Sequence, residues 1–199
     1  MTNAFIDSIS KRRSQYALGK TLPLSQDEVT ALIQQAIKLS PSSFNSQSSR
    51  AVILFGDQSV AFWDIVKGEL AKIVPAEAFG PTEGKINSFA AGAGTVLFYE
   101  DQDVITGLQE QFPLYADNFP VWSEHSTGIA QFAVWSALAD AGIGASLQHY
   151  NPLPDAAVAD KWQLPASWKL RAQMPFGSNE APFGDKTFID DAVRFRTFS

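Results

Sequence analysis

The side chains best suited to hold a ligand lie in three stretches of the chain. The first is Ser40-Pro41-Ser42-Ser43-Phe44-Asn45-Ser46-Gln47-Ser48-Ser49, where small hydroxyl and amide groups crowd around one aromatic. Ser, Asn and Gln offer short donors and acceptors, and small side chains leave backbone N–H groups open to a ligand. The second stretch is Lys11-Arg12-Arg13-Ser14-Gln15-Tyr16. Two guanidinium forks beside a hydroxyl suit a phosphate or the polar edge of a heterocycle. The third is Met174-Pro175-Phe176-Gly177, followed by Lys186 in the turn-rich Pro182-Phe183-Gly184-Asp185-Lys186. Gly177 either makes a turn or lets backbone come close to a ligand, and Lys186 is a further cation. Taken alone, each stretch also has a plain structural explanation. A polar helix-to-strand loop, a basic helix end that suits the helix dipole, and a surface lysine near a turn would read the same way.

Other chemistries lack their residues. There is no cysteine, so neither a disulfide nor a thiolate nucleophile is available. The two histidines, His125 and His149, are too few and too far apart in sequence for a zinc site. No G-x-S-x-G elbow and no P-loop occurs. Gly142-Ile143-Gly144-Ala145-Ser146-Leu147 follows a helix pattern instead of a strand and lacks the third glycine of a dinucleotide fingerprint. If the chain is an enzyme, a cofactor carries the reaction. Fifteen basic against twenty-one acidic residues give a net charge of −6, which argues against nucleic acid as a partner. No basic amphipathic stretch points to a membrane surface, no apolar run reaches spanning length, and no leader pattern opens the chain. The expectation is a cytoplasmic protein forming one domain over residues 1–199. Fifteen Phe and five Trp suit a flat ligand or a broad interface.

The elements that must position these stretches are legible in outline. Phe5, Ile6 and Ile9 share one face of a first helix that Asn3 caps, and this helix delivers Arg12, Arg13 and Ser14. Ser25 and Glu28 form a capping box before the stripe Val29, Leu32, Ile33, Ala36 and Ile37, and Pro41 lies just past that helix. Ala51 to Phe55 and Thr95 to Tyr99 are continuous apolar runs, the pattern of strands buried on both faces. Between them, Phe62, Ile65, Val66, Leu70 and Ile73 predict a helix stopped by Pro75. Residues 75–94 read as mixed loop and short helix, a candidate lid. A short helix is expected from the Asp101/Asp103 caps to about Gln111, then irregular chain from Phe112 to Val121. Ser126 to Ala141 is apolar nearly all round, which places a helix inside the domain or inside an oligomer. Gly142-Ile143-Gly144 closes it and Ala145 to His149 returns as a short strand. Alternation predicts a half-exposed strand at Trp168–Met174 and another at Val193–Thr197. The class is α+β or α/β around one sheet.

In this order, R-R-S, P-S-S-F-N-S-Q, a G-I-G segment after a buried helix, and M-P-F-G with a following lysine resemble the nitroreductase family of FMN-dependent oxidoreductases. Within it, the Hbn1/Frm2-like small branch is most similar. The resemblance covers essentially the whole chain. It implies an α+β fold with a central, mostly antiparallel sheet flanked by helices, in an intertwined homodimer with FMN at the subunit interface. It implies ping-pong hydride transfer from NADH or NADPH through FMN to a nitroaromatic or quinone-type acceptor. A flavin-binding redox sensor with incidental reductase activity, or a structural dimer without cofactor, are the rival readings. By position, Arg12, Arg13 and Ser14 match the segment on the flavin ribityl-phosphate and pyrimidine edge. Pro41, Ser42, Ser43, Phe44 and Asn45 match the segment that the second subunit lays against the same flavin, and Gln47 belongs to that motif. Gln148, His149 and Tyr150 match the segment whose backbone approaches the reactive side of the ring. Gly177 and Lys186 match the phosphate-side segment. Two positions depart from the family pattern: Ser48 stands where many relatives have Pro, and Phe188 where an arginine follows the lysine by two.

Overall fold

A computed structural model describes residues 3–199. Its centre is an antiparallel sheet in the order β1-β5-β3-β2, with β4 paired to β5 as well. The strands are β1 (Leu18–Gly19), β2 (Ser49–Phe55), β3 (Gly94–Asp101), β4 (Gly144–Ala145) and β5 (Trp168–Asn179). Antiparallel pairing throughout the named strands makes the class α+β.

Alternation along β3 builds two cores. Val96 and Phe98 point to one face, Leu97 and Tyr99 to the other, because successive side chains leave a strand on opposite sides. On the first face lie α2 (Gln26–Leu39) and α6 (Phe119–Asp140), which contribute Val29, Ile33, Val134 and Leu138. On the second lie α3 (Gly56–Ala71), α4 (Phe79–Ala90) and α7 (Asp155–Trp162), which contribute Phe62, Trp63, Val66, Ile86, Phe89 and Val158. The short α1 (Ala4–Lys11) leans on α6, capped by the Asn3 side chain as expected. The α2 capping box closes with Ser25 and Glu28 each bonding the other's backbone N–H. The helix α5 (Gln102–Gln111) follows β3 directly, with Asp101 as its cap.

Several sequence expectations are corrected. Residues 75–94 hold more helix than the expected mixture of loop and short helix: α4 packs on α3 and buries Ile86 and Phe89. Pro81 in the first turn and Gly80 and Gly84 disguise this helix, yet an early proline costs a helix no hydrogen bond. For the same reason α6 begins at Phe119, not Ser126, with Pro120 in its first turn. The strand from Trp168 is not half-exposed. It runs to Asn179 with Leu170 and everything from Ala172 to Gly177 buried, because strands pair along both its edges and helices cover both its faces. The return strand at 145–149 is shorter, two residues of β4 and a separate bridge from Gln148 to Gln173. Val193–Thr197 forms no strand. Asp190 caps a single helical turn, α8 (Asp191–Arg194), and a period of two without a strand edge to pair with gives exposed coil.

Candidate functional site

Three of the motifs meet at one end of the sheet. Ser14 bridges to Ala145, and the Gln15 N–H donates to the Ala145 carbonyl at 2.9 Å. Gly144 and Ala145 pair in turn with Gly177 and Phe176. R-R-S, G-I-G-A and M-P-F-G are thus consecutive layers of backbone. Arg12 lies over the Trp135 ring, 4.4 Å from its centroid, which leaves the N–H edge of the guanidinium free of that contact. Arg13 donates to the Gly184 carbonyl and so ties the segment carrying Lys186 to this end. Lys186 itself is exposed, its ammonium 5.1 Å from the Phe188 ring. A cleft of about 430 Å³ opens here between α1, the exit of α6 and the C-terminal segment, with Arg13, Gly142, Gly144 and Asn179 on its wall.

The segment Gln148-His149-Tyr150 is pinned by one residue of β5. Gln148 exchanges backbone hydrogen bonds with Gln173 at 2.7 and 2.9 Å, and the Tyr150 N–H donates to the Gln173 side chain at 2.8 Å. This fixes the backbone that the resemblance brings to the ring. The side chains go elsewhere. Gln148 donates to Ser146, His149 faces solvent, and Tyr150 packs its ring against Trp63 and Phe89 in the second core. Burial raises the Tyr150 phenol pKa above its ordinary value.

The polar loop stands apart from this group. Pro41, Ser42 and Gln47 line a cleft of about 240 Å³ with Ser126 and Ala130 of α6. The Arg12 platform Trp135 lies further along the same helix, about 13 Å from Ser126 at 1.5 Å per residue. Ser43–Asn45 form one 3-10 turn. Phe44, Asn45 and Gln47 all adopt positive φ, at 55°, 49° and 49°. Three such non-glycine residues together mark a backbone held against its own preference. One holder is Phe44, whose ring stacks or tilts against Phe112, Tyr115, Phe119 and Trp122 at centroid distances of 4.9 to 6.2 Å. We expect Phe44→Ala to lower unfolding free energy by about 1–2 kcal/mol through lost aromatic pairing. Urea denaturation followed by tryptophan fluorescence checks this, and an unchanged midpoint would mean the ring does not anchor the loop.

The residue that sequence reasoning passed over is Glu100, which lies one position beyond the apolar run Thr95–Tyr99. It is fully buried and accepts from the Ser48 and Ser49 hydroxyls, each at 2.5 Å. Burial, opposed by those hydrogen bonds and by Arg171 and Arg50, holds its carboxyl above the usual range. An acid closing an apolar strand, opposite a run of serines, was the available signal. Among the described residues, no cluster of His, Asp and Glu is placed to hold a metal ion, and no helix is long and apolar enough to cross a membrane.

Comparison with known proteins adds to this geometry. The model of the nitroreductase family matches residues 9–178. The HBN1 protein of Saccharomyces cerevisiae is 37% identical over 191 residues, 95% of each chain. The nitroreductase CinD from Lactococcus lactis, solved in complex with nicotinic acid, is 52% identical with a TM-score of 0.92, covering 98% of this chain and all of that one. CinD has also been solved with 4-nitrophenol. A Desulfovibrio desulfuricans protein solved in complex with FMN shares the fold at a TM-score of 0.72, with 18% identity over 100% of this chain and 99% of its own.

Proposed function

This chain belongs to the nitroreductase family and is an oxidoreductase of that type; from that premise we propose that it binds FMN and uses NADH or NADPH to reduce small nitroaromatic or quinone-type acceptors by ping-pong turnover. The observation that carries the reading is the convergence of R-R-S, G-I-G-A and M-P-F-G into adjacent backbone layers beside the Arg12 and Arg13 guanidiniums. The groups present fit FMN. Two guanidiniums, Lys186 and the exposed Ser14 suit a phosphate and a ring edge. The 4-nitrophenol and nicotinic acid complexes of CinD support small aromatic ligands here too.

Bound FMN supplies the two-electron redox chemistry. The chain's own residues orient and stabilise. Arg12 or Arg13 places positive charge where reduction deposits negative charge, in a setting partly withdrawn from water. Gln173 locks the Gln148–Tyr150 backbone so that its groups keep one orientation. Lys186 serves the phosphate side, and Gly177 leaves room for the Gly19 backbone beneath it. No side chain is needed as a nucleophile.

The same reading makes the active form a cytoplasmic homodimer whose polar loop meets the flavin of the second subunit. Its support is apolar surface along α1, α2 and α6. Phe5 and Leu39 are exposed, as are Ile129 and Phe132, around a cleft that also includes Leu32, Ala36 and Ala133. The test is the absorbance spectrum of the purified protein before and after adding FMN, followed by steady-state NADH and NADPH oxidation with a nitroaromatic. Flavin bands and acceptor-dependent oxidation are expected. A protein that neither carries nor takes up FMN would end this reading, and tight FMN binding without turnover would favour the redox sensor.

A further inference from the structure

β3 ends on two consecutive acids, and both reach the exit of the polar loop. Glu100 accepts from Ser48 with Oε2 and from Ser49 with Oε1, both at 2.5 Å. Asp101 accepts from Arg50 at 2.9 Å, and Arg50 donates onward to the Gln47 carbonyl at 2.6 Å. The Asp101 N–H donates to the Ser48 carbonyl at 3.0 Å. Ser48, Ser49 and Arg50 are therefore each gripped by side chain, and the gripped leg begins right after Gln47 at φ 49°. Behind Glu100, the register shift between Phe98 and Tyr99 leaves Arg171 out of step with β3, and Arg171 pairs with Glu124 of α6. A buried carboxylate of this kind is costly to keep unless its contacts matter. A loop with three non-glycine residues at positive φ relaxes unless its ends are over-determined.

We propose that Glu100 is a positioning residue for the cofactor: by fixing Ser48 and Ser49 it holds Pro41–Asn45 in the conformation that meets the flavin, without touching the flavin itself. The inference rests on the reading that this loop is a flavin contact.

FMN titration by flavin fluorescence, visible circular dichroism of the bound flavin and thermal unfolding of the FMN-free protein test it together. Ser48→Ala/Ser49→Ala is expected to bind FMN about tenfold more weakly, the scale of losing hydrogen bonds to a charged group, and to change the flavin dichroism. Glu100→Gln is expected to fall between that variant and the parent. Ser49→Thr, which keeps the hydroxyl, is expected to bind within about twofold of the parent, where Ser49→Ala does not. If Glu100→Gln does not fold, the serine variants decide alone. Serine variants with parental FMN affinity and dichroism overturn the proposal, and so does a Ser49→Thr protein no better than Ser49→Ala. A parent protein that binds no FMN in the same titration overturns the functional reading itself.

Discussion

Gly177→Ala is expected to lower the unfolding free energy by about 1–3 kcal/mol, the range for overpacking, and toward its upper end because the element it meets cannot step aside. A Cβ at Gly177 would lie 2.0 Å from the Gly19 carbonyl oxygen and 3.0 Å from the Ala93 nitrogen. Both are backbone atoms, so no rotamer change relieves the collision. Gly19 in β1 pairs with Ser178, one residue along β5, and its own Cβ position is already filled by Glu180 and Ser178. The two glycines let β1 lie across the end of β5 where β4 also attaches. Gly184→Ala is the control, because nothing lies within 4 Å of its Cβ position. Thermal unfolding of both variants checks the claim, with several degrees lost in the first and almost none in the second. Equal midpoints would mean that β1 moves away freely. The contact also bears on function. The sequence allowed either a turn or close ligand approach at this glycine, and the space beside its Cα holds the chain's own backbone instead. Weaker FMN binding in Gly177→Ala therefore has to be weighed against the lost fold before it counts as a lost contact.

What the sequence made legible follows from how local each signal is. The α2 capping box is complete within four residues, and Ser25 and Glu28 form it as read. Thr95–Tyr99 is apolar on both faces because helices cover each face of the sheet there, and its composition says so directly. β5 lies equally deep but alternates Lys169, Arg171 and Gln173 with apolar residues. Lys169 is exposed, but the other two find specific partners, Gln173 in the Gln148–Tyr150 segment and Arg171 in Glu124. Alternation cannot distinguish water from such partners, so the strand read as half-exposed. Glu100 was hidden for the same reason: its meaning lies in Ser48 and Ser49, some fifty residues away. The candidate site was legible as motifs in order. Their division into two groups along α6 was not, since it depends on where the α2 exit falls beside that helix.

That division leads to the last expected result, in which two damaged chains together rebuild half of the flavin sites. Arg12→Ala is expected to weaken FMN binding by about 1.5–3 kcal/mol, the scale of a charge-assisted hydrogen bond. Lys186→Ala should weaken it less, because an exposed ammonium is screened by solvent. Arg12 packs on Trp135, whereas Asn45 sits with the Phe44 cluster near Phe119 and Trp122 and is exposed to solvent. Within one chain these two residues belong to opposite halves of α6. If a second subunit brings its loop to the Arg12 end, each flavin draws Arg12 from one chain and Asn45 from the other. Asn45→Leu, which removes the amide, should then impair FMN binding as Arg12→Ala does. Heterodimers pairing an Arg12→Ala chain with an Asn45→Leu chain would hold one site with both lesions and one with neither. They are expected to regain about half of the parental flavin binding at concentrations where each mutant homodimer binds little. Differently tagged subunits, co-purified and titrated with FMN, give the measurement. Were both residues of a site drawn from the same chain, every site would keep one lesion and mixing would restore nothing. That result would remove the shared-site dimer and leave a flavin site built within one chain as the architecture to explain.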